Sequence, residues 1–223
     1  MARKFGHGSG LSQGELRVLQ RLDTPSKIQD FINSLRRNFE LDGETCMSPR
    51  TVLRTRRAHC VEGALLAAVA LRLHGHKALA VELVATEDDD SHMLAVFKQR
   101  GCWGAITQTN HAVLRYREPV YRNVRELVMS FFHEYFLNEN GKKTLRSYTR
   151  PIDLSIFDKR GWVTAEDDIW YVPEYIEEVH HYDLLTPWHV RNLRPAEPVE
   201  IEAGSILVEQ EPRRRKGQRG KNG

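Results

Sequence analysis

The stretch RRAHCVEGALLAAVALRLHGHKALAVEL, residues 56–83, sets an almost wholly apolar helix before an apolar strand, with a HGH break between them. Small and apolar side chains fall on every face between Ala64 and Leu73, and a helix that is apolar all round is a buried one. Gly75 supplies the stop. KALAVELVA (77–85) has the apolar and β-branched content of a strand. The helix is predicted to run from Ala58 or His59 to Leu73. Cys60 then falls in its first turn, where the backbone N–H groups and the helix dipole favour an anion. Arg56 and Arg57 lie just upstream and add positive charge. A cysteine attacks as its thiolate, so this is a place where a helix would activate one. It is equally a place where a small buried thiol would merely fill space.

Working outward, Thr24 and Pro25 start an earlier helix in which Ile28, Phe31, Ile32, Leu35 and Phe39 recur at helical spacing. Residues 1–23 are read as a loose segment, Gly-rich to residue 14. HMLAVFKQ (92–99) and CWGAITQTNH (102–111) are predicted strands, joined at Arg100–Gly101 as an antiparallel hairpin. EDDDS (87–91) is a loop before them. A further helix is predicted from Asn123 to Phe136, LRSYTRPIDLSIF is read as extended, and Thr164–Ile169 as a short acidic helix. VEIEAGSILVEQ, 199–210, is read as one or two strands. The order of helices, then strands, then a helix implies α+β. The main domain spans 24–150, with 151–211 an extension packed on it.

The chain has 223 residues and a formal charge of +3. PRRRKGQRGKNG, 212–223, holds six basic residues and no acid, so the rest carries −3. Gly and charge without apolar residues do not fold alone. The tail is read as a disordered solubilising segment, with loose, salt-sensitive nucleic-acid contact as its other role. No apolar run reaches the length of a membrane span and no signal-peptide core opens the chain. Three cysteines without a CxxC spacing argue against a disulfide framework or a thiolate zinc site. A cytoplasmic protein is expected, with no membrane partner.

The run RAHCVEGALLAAVALRLHGHKALAVEL, with DDDSHMLAVFKQRGCWGAI after it, resembles the transglutaminase-like superfamily. The match is a cysteine opening a core helix, an acidic residue two positions on (Glu62), a histidine opening the second strand (His92), and a GxW opening the third (Gly101, Trp103). It covers 56–110, and more loosely 24–149. The resemblance implies a papain-like fold in which a core helix bearing the cysteine packs on an antiparallel sheet bearing the histidine. It further implies cysteine-dependent acyl transfer through a thioester on a protein or peptide substrate, as peptidase, amidase or transglutaminase-like enzyme. Cys60 then matches the nucleophile and His92 the general base. His59, adjacent in sequence, is expected to point away.

The family places an aspartate four residues after the tryptophan, and this chain has Thr107 there. Asn110 is the chemically better acceptor for the imidazole, as asparagine is in papain-like enzymes. Register decides between them. A three-residue hairpin loop sets His92 against Gln108 with Asn110 beside it. A two-residue loop sets it against Thr109 with Thr107 and His111 flanking. The expected site is thus Cys60, His92 and Asn110, with no cofactor. The missing aspartate also leaves a second reading, a catalytically inactive binding module of the same fold. EDDD lacks the glycine and distal glutamate of a calcium loop. His180–His181 lacks companions at ligand spacing. No metal is therefore expected.

Overall fold

The computed structural model describes Phe5 and residues 8–211. Among the described residues, α1 (Gln13–Gln20), α2 (Pro25–Asn33) and α3 (Pro49–Thr55) precede the central helix. The two-residue strands β1 (Arg36–Arg37) and β2 (Arg57–Ala58) pair in parallel among them. The central helix α4 (Cys60–Leu73) leads into β3 (Leu79–Val84), β4 (His92–Gln99), β5 (Cys102–Ile106) and β6 (Arg117–Tyr121). Then follow α5 (Val124–Met129), β7 (Ser147–Thr149), β8 (Ile152–Asp153), α6 (Tyr171–Glu178), β9 (His181–Asp183), α7 (Pro187–Arg191) and α8 (Pro198–Gly204).

The main sheet has the order β6-β5-β4-β3-β7-β9, with β8 also on β3, and its neighbours pair antiparallel. β7 and β8 occupy successive parts of one edge of β3. Pro151 stands between them, where a residue without an N–H interrupts a ladder. Residues 151–211 thus contribute β8 and β9 to the sheet that the earlier residues begin.

Alternation along the strands sends two sets of side chains to two cores. Ala80, Met93, Ala95, Phe97 and Ile106 belong to the core that includes α4, together with Leu19, Ile32, Trp162 and Ile176. Val81, Leu83, Leu94, Val96 and Ala105 belong to a second core with Leu127, Val128, Phe131 and Leu184. Covered on both faces, β4 reads as the nearly unbroken apolar run that such a strand requires. Every residue of α4 from Glu62 to Leu71 is buried. Its small side chains let the sheet come close: a Cβ on Gly63 would lie 2.5 Å from the Gln108 Cβ. The mixed α+β architecture and antiparallel sheet agree with expectation.

Several elements differ from the sequence reading. Part of the segment expected to be loose forms α1, capped by Ser12 and Glu15 in a reciprocal box, with Leu16 and Leu19 buried. The third strand stops at Ile106. The helix predicted to Phe136 stops at Met129 and continues as a 3-10 turn at Phe132–Glu134. Residues 164–169 are irregular, and the helix follows at α6. The first part of 199–210, read as strand, falls in α8: Pro198 at its first position and a Glu197–Glu200 box outweigh the β-branched content. No described helix is long and apolar enough to cross a membrane. The tail, 212–223, lies outside the described residues.

Candidate active site

Cys60 reaches the start of α4 through a tight redirection of the chain. Arg56 caps α3 in the left-handed region (φ 57°), and β2 pairs with β1, so the chain enters α4 through Ala58 and His59. His59 is the N-cap, extended at φ −95° and ψ −174°. Cys60 is the first helical residue and is half-buried. Its N–H belongs to the first turn, where donors lack intrahelical partners.

His92 opens β4 and is buried. On one side it is near enough to Cys60 to draw the thiol's proton affinity down. On the other, Nε2 lies 2.5 Å from the Thr107 hydroxyl. The hairpin loop explains this choice of partner. Gln99 pairs with Cys102, so the turn has two residues, Arg100 and Gly101, both at positive φ. That register puts Thr107 on the His92 face. Gln29 on α2 then takes over beyond the end of β5. Its side-chain oxygen accepts from the Thr107 N–H (3.0 Å) and its amide donates to the Thr107 carbonyl (2.8 Å), imitating a neighbouring strand.

Asn110 is not brought to His92. Its amide donates to the Glu209 carbonyl (2.9 Å) and its side-chain oxygen accepts from the Glu209 N–H (2.9 Å). β5 has ended four residues earlier, so strand alternation no longer governs residue 110. Asn110 instead holds the C-terminal strap, in which Leu207 bridges to His111 and Glu209 receives the Arg37 N–H.

The sequence reading also turned His59 away, reasoning from helical geometry. As an N-cap residue it is not helical, and its ring is near enough to influence the Cys60 thiol. Nδ1 lies 3.2 Å from the Val61 N–H, and Nε2 lies 2.9 Å from the Thr45 carbonyl. The Glu62 carboxylate, fully buried, stands 3.4 Å from the same Nε2, and Glu40 stands 3.8 Å away. Glu62 accepts from the N–H groups of His59 and Met47 (both 2.9 Å), from the Thr45 hydroxyl (2.9 Å) and from the Asn38 amide (3.1 Å). Each partner is a donor, the set a carboxylate requires. Glu62 thereby ties the connector 38–47 to the mouth of α4.

Burial pushes the Cys60 thiol up, but hydrogen bonds from His59 and His92 and the charge of both rings overcome it, leaving the thiol well below its ordinary range. The positive influence comes from these imidazoles rather than from Arg56, whose guanidinium lies 4.3 Å over the Phe31 ring. Burial lowers proton affinity at His59. The Cys60 hydrogen bond and the Glu62 charge reverse this and hold the ring's proton up to about 9.

A further carboxyl lies close enough to feel the thiolate. Glu82 on β3 is buried, with one oxygen 3.5 Å from Nε2 of His181 on β9. Burial pushes Glu82 up, His181 partly offsets this, and the charges of Glu177 and Cys60 push it further. A single acid inside KALAVELVA was the signal for it in the sequence. The EDDD loop is internally engaged: Asp88 pairs with Lys142 at 2.6 Å and Asp89 accepts from Thr144. Among the described residues no group of three His, Cys, Asp or Glu stands ready to hold a metal.

The arrangement can therefore ionise a thiol and shuttle its proton. Compared with known proteins, the chain matches no family model and no curated protein.

Proposed function

We propose that this protein is a cysteine-dependent acyl-transfer enzyme of transglutaminase-like, papain-like fold, acting on amide bonds of a protein or peptide. The observation that carries the reading is a thiol at the start of a buried helix, drawn below its ordinary range by a neighbouring histidine, His92, whose Nε2 is engaged by the Thr107 hydroxyl. Cys60 attacks the carbonyl carbon. His92 takes the thiol proton and returns it to the leaving amine. The Cys60 N–H, in the first turn of α4, would serve as an oxyanion donor. The resulting thioester passes to water or an amine. Three free cysteines suit a reducing compartment such as the cytoplasm.

The test is direct trapping. Wild type and Cys60→Ser are mixed with p-nitrophenyl esters and glutaminyl peptides, and intact mass is read before and after hydroxylamine. An acyl adduct on wild type that hydroxylamine removes and Cys60→Ser lacks is expected; no adduct across the panel between pH 5 and 9 overturns the reading. The uncharged Thr107 at the carboxylate position favours a second reading, a binding module without turnover. That reading predicts peptide binding unaffected by Cys60→Ser.

A further inference from the structure

We propose that a notch beside the first turn of α4 is a carboxylate subsite, and that the acyl substrate is a peptide bearing a carboxylate about three residues from the bond that Cys60 attacks. The inference rests on the acyl-transfer reading and names its substrate class. The notch opens where the C-terminus of α2, the chain beyond β5 and the C-terminal strap meet. Its walls include Asn33, Arg37, Gln108, Thr109, Arg115 and Glu209. At about 20 Å³ it admits the tip of a ligand rather than a whole side chain. Its place relative to the thiol follows from two contacts. A Cβ on Gly63 would lie 2.5 Å from the Gln108 Cβ, and the Gly63 N–H donates to the His59 carbonyl (2.9 Å) across the turn that holds Cys60. Thr109 stands two residues beyond Thr107, the partner of His92. The notch is therefore on the order of 10 Å from the thiol, roughly three residues of extended chain.

The walls carry donors with nothing to donate to. Arg37 and Arg115 are half-buried. Arg37 is held by its backbone N–H on Glu209 and Arg115 by its carbonyl on Arg117, and among the described residues neither guanidinium finds an acceptor. Burial pulls the proton affinity of Arg115 down, and no neighbouring acid offsets it. Gln108 is 5% exposed, and its amide also has no partner among the described residues. Such a group is uncommon, because it gives up water without replacement. The Thr109 hydroxyl accepts from the His111 N–H and keeps its own proton to give. Guanidinium groups donate only, and their planar fork matches a carboxylate. Two features oppose an anion: the C-terminal end of α2 and the Glu209 carboxylate. Glu209 is already engaged by the Arg36 guanidinium and the Arg37 N–H, so two guanidinium charges against one carboxylate leave the notch positive. A tetrahedral phosphate is bulkier than the space. A carboxylate enters oxygens first, and either a chain end or an acidic side chain supplies one.

Affinity is read by calorimetry in Cys60→Ser, which binds without turnover. The probes are N-acetyl-trialanine, its C-terminal amide, and N-acetyl-alanyl-alanyl-glutamic acid with its chain end amidated. At least one carboxylate peptide is expected to bind about tenfold tighter than trialanine amide, with Arg37→Gln or Arg115→Gln removing most of that preference. Whichever carboxylate peptide binds tighter tells a chain end from an acidic side chain. Equal binding of all the probes, no binding of any at millimolar concentration, or a preference that survives both arginine substitutions together overturns the proposal. Should the arginine variants not fold, the side-chain amide signals of Gln108 in nitrogen–proton spectra of Cys60→Ser decide. They shift with a carboxylate peptide and stay in place with the amide; a shift with neither, or the same shift with both, overturns the proposal. Trapping on wild type separates the two readings. A carboxylate preference without a hydroxylamine-sensitive adduct sinks acyl transfer alone. An adduct formed equally from glutaminyl peptides ending in carboxylate and in amide, with equal binding of the probes, sinks this inference alone.

Discussion

Thr107 is the residue on which the site's chemistry turns. Its hydroxyl hydrogen-bonds to the His92 Nε2, and its backbone is gripped from both sides by Gln29. Thr107→Val keeps the shape and leaves the buried His92 Nε2 without its partner, a cost of about 1–3 kcal/mol. If that cost falls on the ring's working orientation, acyl turnover drops roughly 5- to 150-fold, which steady-state kinetics on any ester found active will read. The thiols differ just as sharply. Burial and the Glu62 and Asp168 charges push Cys46 up to about 12, so it stays protonated. Iodoacetamide at pH 7 should therefore modify Cys60 in the folded protein and Cys46 only after urea unfolding, as peptide mapping will show. Cys60 and His92 were legible in the sequence because each opens a regular element. Gln29 was not, since it meets Thr107 across 78 positions. Asn110 was misplaced because alternation was carried past the end of its strand.

At the scale of elements, α4 and the β4–β5 hairpin fix the geometry and make opposite demands on substitution. A methyl on Gly63 would press on the Gln108 Cβ, an atom tied to backbone rather than a flexible tip. Overpacking at about 1–3 kcal/mol then exceeds the gain of about 1 kcal/mol in helix propensity. Gly63→Ala should lower unfolding free energy by roughly 1 kcal/mol in urea titrations. Arg100 occupies the left-handed region at φ 48°, where asparagine is more comfortable. Arg100→Asn should raise stability by about 1 kcal/mol in the same assay. Long periodic elements such as α4 announced themselves. α1 and α8 did not, although SQGE (12–15) and EPVE (197–200) both carry capping boxes. In α8 the valine and isoleucine suggested a strand, and only the Pro198 and glutamate positions argued otherwise.

The whole molecule is closed by pairings between segments remote in sequence. β8 and β9 complete the sheet, and the C-terminal strap crosses to residues 110–112 through the Ala112–Ile206 and Val208–Asn110 backbone bonds. Glu209 anchors it on Arg36, an exposed pair that contributes little by itself, and on the Arg37 N–H. Glu209→Ala should therefore speed hydrogen exchange at Ala112 and Val208 while changing global unfolding free energy by less than about 1 kcal/mol. None of this strap was legible in the sequence, because its partners lie about a hundred positions away or more. The Arg100–Gly101 turn, finally, bears on how such a protein can diverge. Inserting one residue there would slide β5 by one position against β4, turn Thr107 to the opposite face and give the imidazole a new neighbour. The turn is exposed and lies roughly 17 Å along β5 from the site. An indel at that tip, a place where lineages readily gain and lose residues, would retune the histidine while every residue touching it kept its identity.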